Sequence, residues 1–324
     1  MKMRIATFNI ENLDDVEGDT PSLQKRIEVL RPQIKRLNAD IICFQEIHGQ
    51  ETEGQPRKLL ALKKLLEKTD QFTFNIASTL TNNNEVYDKR NLVVVSRFPI
   101  SEIKQYKNDF ISFPNYSKIT AIPPEEESKS IKWERPILYT KINVKQNFDM
   151  HLISVHLKSR RPTPIRGQEV DPYTWRSSSG WAEGFFISSM KRVGQALEMR
   201  LLIDSIFDID EEAKIVVCGD FNAHPEEVPV EAICGRIENT GNPDLTKRVM
   251  ISCENTIPES SRFTYLYQGE KRLLDHLLIS KSMLPYYRKS EIYNETLHDE
   301  SIAFAIETKF PESDHAPFIA EFEI

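Results

Sequence analysis

Residues 3–10 alternate apolar and polar side chains, the period-two rhythm of a half-buried β-strand. The rhythm then changes. Leu23, Ile27, Leu30, Ile34 and Leu37 recur at spacings of four and three, which predicts an amphipathic helix. Pro32 inside that pattern predicts a kink or a broken turn, because proline has no N–H to donate. The apolar run Ile41–Phe44 reads as a buried strand, and Leu59, Leu62, Leu65 and Leu66 mark a second helix near 57–67. Strand-like runs follow at 91–95, 136–144, 150–155, 214–218, 273–279 and 316–322. The strongest helical pattern of the second half covers about 183–207, with Val193, Leu197, Leu201, Leu202 and Ile206. Between these elements, 123–130, 157–182 and 239–262 read as loops, and none has the composition of a flexible linker. Many strands with few long helices predict an α/β (α+β) fold in which two packed sheets are flanked by helices.

Composition narrows the function. The 324 residues carry 42 Lys+Arg against 49 Asp+Glu, a net charge of −7. A grip on a polyanion therefore has to come from a local basic patch or a bound cation. Cys43, Cys218, Cys234 and Cys253 form no CxxC pair and no zinc spacing, so they are expected to be reduced thiols. The N-terminus MKMRIATFNIENL lacks a continuous apolar run and reads as a strand, not a signal peptide. No apolar stretch approaches the length that spans a bilayer. A cytoplasmic protein without membrane insertion is expected, and no protein partner is legible.

The chemistry lies where strands end. Asn9 and Glu11 close the first strand, Gln45 and Glu46 follow DIICF, and His156 ends HLISVH. Asp220 and Asn222 follow KIVVCG, Asp275 and His276 interrupt LLDHLLIS, and Asp314 and His315 stand in ESDHAPF. A single Glu after a strand is ordinarily just solvated. Six such placements are different, because strand ends along one sheet edge converge in space. Carboxylate and amide oxygens without a cysteine ligand suit Mg²⁺ or Mn²⁺. No HExxH, GxxxxGK[ST] or GxSxG is present, which argues against a zinc protease, a P-loop enzyme and a serine hydrolase.

Taken in order, FNIENL, DIICFQE, SRFP, SVHLKS, GDFN, LLDHLLIS and SDHAP resemble the endonuclease/exonuclease/phosphatase superfamily, which includes the deoxyribonuclease I-like nucleases. The resemblance runs from residue 8 to residue 317. It implies one domain over 1–324, a four-layer sandwich, and a site across the top of both sheets. It also implies roles. Glu46 would be the principal metal-binding carboxylate, with Asn9 beside it and Asp314 as a further metal contact. Asp220 would orient or deprotonate the attacking water, and Asn222 would hold a phosphate oxygen. His315 would donate to the scissile phosphate with Asp275 as its buried partner, and His156 matches the histidine of the nuclease, sphingomyelinase and phosphatase branches. The segment before SRFP departs from the family pattern, with Asn91 in RNLVVVSR where a glycine is usual.

Three functions follow. The favoured one is a metal-dependent nuclease with nucleic acid as its substrate. The others are a phosphatase or phospholipase C-type enzyme acting on inositol phosphates or sphingomyelin, and an inactive binding module. Residues 158–192 carry a net +4 and interleave Trp175 and Trp181 with arginines. Arg160, Arg161 and Arg166 are accordingly expected to grip substrate phosphates.

Overall fold

The computed structural model describes residues 1–306 and 309–324. In chain order its principal strands are β1 (Lys2–Leu13), β2 (Ile41–Ile47), β3 (Asn75–Ser78), β4 (Asn91–Ser96), β5 (Ile100–Tyr106) and β6 (Ile137–Lys145). They continue with β7 (Phe148–His156), β8 (Ile215–Asp220), β9 (Met250–Ser252), β10 (Asp275–Ser280), β11 (Tyr287–Ile292) and β12 (Phe318–Glu323). One sheet runs β11-β12-β1-β2-β4-β3 and the other β9-β10-β8-β7-β6-β5. Each has one central parallel pair, β1 with β2 and β7 with β8, among antiparallel neighbours. The two parallel pairs bring the C-terminal ends of four strands to one edge.

The central strands are buried on both faces, β1 included despite its alternation because Thr7 and Asn9 are buried too, and three cores fill the resulting spaces. Ile5, Cys43, Leu92 and Val94 of the first sheet meet Leu152, Val216, Cys218 and Leu277 of the second in the central core. The outer face of the first sheet, with Phe8 and Phe44, packs on α1 (Leu23–Leu37) and α2 (Leu60–Leu66). Ile153, Val217 and Leu278 pack the second sheet on α3 (Ser178–Ile209) and α4 (Val228–Cys234). The result is the expected four-layer sandwich. All four cysteines are free and buried.

Helix α1 runs unbroken through Pro32, from a Ser22 cap that accepts from Lys25 N–H to Asn38 in the left-handed region. Its apolar stripe is the one the spacing predicts, with Leu30, Ile34 and Leu37 fully buried. Helix α3 corrects the sequence pattern in two ways. It begins at Ser178, so part of the expected 157–182 loop is helix, and of the expected stripe it buries Leu202 and Ile206 but not Val193 and Leu197. Val193 and Leu197 are 36% and 46% exposed, whereas Arg192, Gln195 and Glu198 are buried beside Met199 and Leu202. The cause is a long segment that packs on this helix. Glu198 accepts from Asp109 N–H at 2.7 Å and from Trp133 Nε1 at 2.9 Å, so hydrogen bonds hold part of the stripe in place of apolar contact.

The departure at Asn91 also has a local explanation. The side chain is fully buried. Its Nδ2 donates to Ile47 O at 2.9 Å and Tyr87 O at 2.7 Å, and its Oδ1 accepts from Tyr87 N–H at 2.7 Å. Asn91 thus ties the chain before β4 to the end of β2. Asn91→Gly should destabilise the fold by about 3 kcal/mol, because several buried polar groups lose partners at once. The urea midpoint measures this, and an unchanged midpoint would mean that water replaces the amide.

Candidate active site

The edge where the parallel pairs end carries the site. β1 and β2 both lose register there, between Asn9 and Leu13 and between Phe44 and Ile47. Glu11, Asn12, Glu46 and Asn222 adopt positive φ of 51°, 47°, 62° and 50°. Such bulges turn side chains out of the strand alternation toward a common point. Gly219 permits the approach of β8 to β7, since a Cβ there would sit 2.0 Å from Val155 O.

Asp220 is the hub. Its Oδ2 accepts from Asn9 Nδ2 at 3.1 Å and Asn222 Nδ2 at 3.2 Å, and its Oδ1 accepts from Asn222 N–H at 2.8 Å. Nε2 of His156 lies 3.3 Å from Asp220 Oδ2 and 3.7 Å from Glu46 Oε1. Nε2 of His315 lies 3.9 Å from Asp220 Oδ2. Burial raises the Asp220 pKa to about 7; the nearby His315 opposes this and Asp275 adds to it. Asn222 spends its amide on Leu157 O, at 3.1 Å, and on Asp220, so it orients the hub.

The two histidines diverge in charge. At His315 burial works against the imidazolium, but Asp275, Asp314 and Asp220 outweigh it and hold the pKa well above the ordinary value. Nδ1 of His315 meets Asp275 Oδ2 at 2.7 Å. Asp275 is held in turn by its backbone N–H, which donates to Thr264 Oγ1 at 3.1 Å. At His156 burial, reinforced by Arg135 and His315, pushes the pKa well down. A charged donor and a neutral imidazole therefore flank one carboxylate.

Negative charge is in excess around Glu46. Its Oε2 accepts from Asn12 N–H at 3.1 Å, and Oε1 is the oxygen near His156. Burial raises the Glu11 pKa against the pull of Arg26. It raises Asp314 further, against His315, with Glu11, Glu46 and Glu300 contributing. Oδ1 of Asp314 is enclosed without a hydrogen-bond partner among the described residues. Crowded oxygens of this kind fit a hard divalent cation. Asp220, Asp275 and His315 also place donor atoms within 4.8 Å of one another. In that trio, however, the neighbouring carboxylates hold His315 as an imidazolium, which has no lone pair to offer a cation.

The cleft above these groups is lined by Arg90, Arg135, Arg160, Arg272, Tyr265 and Glu300, among others. The structure separates the three arginines grouped in the sequence reading. Arg160 lines the cleft, 3.3 Å from Glu227 Oε1. Arg161 instead donates to Pro172 O at 2.6 Å and lies over the Tyr173 ring, and Arg166 donates to Pro123 O at 2.8 Å. Neither lines the cleft, and nor do Trp175 and Trp181. Sequence reasoning missed Arg135, a buried guanidinium whose Nη1 reaches His156 O at 3.4 Å. The signal was its place just before β6, since the β6–β7 register (Leu138 with Ser154) puts residue 135 at the His156 end. Arg160→Ala should raise KM for polynucleotides and flatten the log–log salt dependence by about one phosphate's share. Arg161→Ala and Arg166→Ala should leave the slope unchanged, and a salt titration of KM separates the cases.

The profile of the Endonuclease/Exonuclease/phosphatase family matches residues 6–315. A comparison with curated protein sequences finds no significant match. Among solved structures the chain is similar to a truncated TDP2 from Caenorhabditis elegans, with TM-score 0.58 and 16% identity over 100% of this chain and 98% of that one. It is similar to an AP endonuclease from Archaeoglobus fulgidus, with TM-score 0.55 and 14% identity over 99% and 100%. A 3′ phosphatase, NExo, from Neisseria, bound to a product DNA hairpin, gives TM-score 0.51 and 16% identity over 99% and 100%. Among the described residues no helix is long and apolar enough to cross a membrane.

Proposed function

The chain belongs to the endonuclease/exonuclease/phosphatase family of hydrolases, and on that premise we propose that it is a divalent-metal-dependent nuclease cleaving phosphodiesters by in-line attack of water. The observation that carries this reading is the juxtaposition of Asp220 and the charged His315, 3.9 Å apart at the floor of an arginine-lined cleft. Asp220, with its pKa near 7, can take a proton from water at neutral pH. Asn9 and Asn222 fix its carboxylate so that one direction of approach is favoured. The His315 imidazolium donates to the oxygen on which charge develops, and Asp275 keeps the ring aimed. Arg135 and Arg160 add positive charge at the phosphate, and neutral His156 offers Nε2 beside Asp220. A Mg²⁺ or Mn²⁺ held by Asn9, Glu46 and Asp314 would withdraw charge from the phosphate oxygens.

An AP endonuclease and a DNA-bound 3′ phosphatase among the fold neighbours favour a nucleic-acid substrate. The four cleft arginines also favour a second reading, a small substrate with several phosphates, because Arg161 and Arg166 leave less of the loop to grip a long polymer. The test is a panel of plasmid, single-stranded DNA, RNA, inositol phosphates, sphingomyelin and bis-p-nitrophenyl phosphate, each with Mg²⁺, Mn²⁺ or EDTA. Turnover of polynucleotides that EDTA abolishes supports the nuclease. Turnover of inositol phosphates alone moves the assignment to the second reading, and activity undiminished by EDTA overturns the metal dependence.

A further inference from the structure

β10 offers two consecutive residues to opposite faces of its sheet. Asp275 shares its face with Leu277 and Ile279 of the central core, and from there it reaches His315. His276 shares the other face with Leu278, on the helix side, and is fully buried. Its Nε2 lies 2.8 Å from Ala223 O and its Nδ1 2.8 Å from Glu254 Oε1. A carbonyl oxygen only accepts, so Nε2 carries a hydrogen; burial opposes a second one, but Glu254 outweighs it and raises the imidazole pKa, which favours a hydrogen on Nδ1 as well. The ring is tied at both ends, and Phe221 packs against it with ring centroids 4.9 Å apart.

What the ring holds matters. Ala223 directly follows Asn222, which sits in the left-handed region at φ 50° and orients both oxygens of Asp220. Stability alone is a poor reason for this pair. A buried ion pair seldom outperforms apolar side chains of similar volume, because the desolvation of both charges offsets their attraction. Here one oxygen of Glu254 has no hydrogen-bond partner among the described residues. We propose that His276 is a positioning residue for the reaction: anchored by Glu254, it fixes the Asn222–Ala223 turn from behind and thereby aims Asp220. The inference rests on the phosphoester-hydrolase reading of the same site.

The double variant His276→Phe/Glu254→Leu tests it, because it removes both charges, keeps the packing and leaves no buried charge unpaired. It should fold with a Tm close to that of the wild type, because relief of the pair's desolvation cost opposes the loss of the donor to Ala223 O. Its kcat on bis-p-nitrophenyl phosphate should fall about 10–100-fold with KM unchanged, the cost of a slightly misplaced catalytic group. Hydrogen exchange should accelerate in 221–224 and stay unchanged in α3. Glu254→Gln, which keeps a carbonyl acceptor opposite Nδ1, should recover most of the lost turnover. A well-folded double variant with wild-type kcat and wild-type protection at 221–224 overturns the proposal, as does loss of protection spread over the whole chain. If the wild type hydrolyses no phosphoester, the functional reading fails, and the exchange data still decide whether His276 fixes the turn.

Discussion

His315→Ala should lower kcat by about 10²–10⁴-fold on every phosphodiester that the wild type cleaves, the usual scale for a charged donor in a shielded site. The structure says why the loss should be large and also why it should not add to that of its partner. The imidazolium exists here only because Asp275, Asp314 and Asp220 outweigh the burial that opposes it. Asp275 does this through a single 2.7 Å contact with Nδ1, while Nε2 is left to face the cleft. Asp275→Asn weakens the attraction that keeps the ring charged and aimed, so it should cost a large part of the same factor. Once His315 is absent, Asp275 has nothing to charge or aim. The double variant should therefore be little slower than His315→Ala alone. A double-mutant cycle on kcat with a minimal diester measures this coupling directly. Losses that multiply would show that the pair does not act as one unit.

Asp220→Asn should cost a similar 10²–10⁴-fold in kcat, yet it should make the metal-free protein more stable. The sign follows from the direction of the shift. Burial holds the Asp220 pKa at about 7 in the fold, above its ordinary 3.8. A raised acid contributes stability that is fully present below the ordinary value and is lost as pH rises through about 7. Asp314 and Glu11 are shifted the same way by burial. In EDTA the difference in Tm between Asp220→Asn and the wild type should therefore be small near pH 4 and grow in the variant's favour toward pH 8. Mg²⁺ should shrink that gap at high pH, because a cation on neighbouring ligands compensates the ionised carboxylates. Glu46→Gln should weaken the Mg²⁺ effect while leaving the fold intact. A gap that does not change with pH would mean that Asp220 ionises freely in the fold. A wild-type Tm indifferent to Mg²⁺ at every pH would mean that these oxygens bind no cation.

Much of this was readable from the chain because it is local. The stripe of α1 depends only on the 3.6-residue period, so Leu30, Ile34 and Leu37 were placed correctly without knowledge of what they touch. The strand runs and the polar residues that end them could be read in the same way, and Glu46, His156, Asp220, Asn222, Asp275 and His315 do meet along one edge. Tertiary structure decided everything that depends on neighbours distant in the chain. The face of α3 follows from partners such as Asp109 and Trp133, which no periodicity within 183–207 encodes. Only Arg160 of the three loop arginines reaches the cleft, because hydrogen bonds to Pro172 and Pro123 draw the other two away. Arg135 enters through the β6–β7 register, and His276 becomes a clamp only when Glu254 and Ala223 arrive beside it. The charges of the site belong to the same class. Asn9 and Asp220 are 211 residues apart in sequence and 3.1 Å apart in space. The pKa of a carboxylate is set by the solvent and charge that surround it, and those exist only once the two sheets have closed.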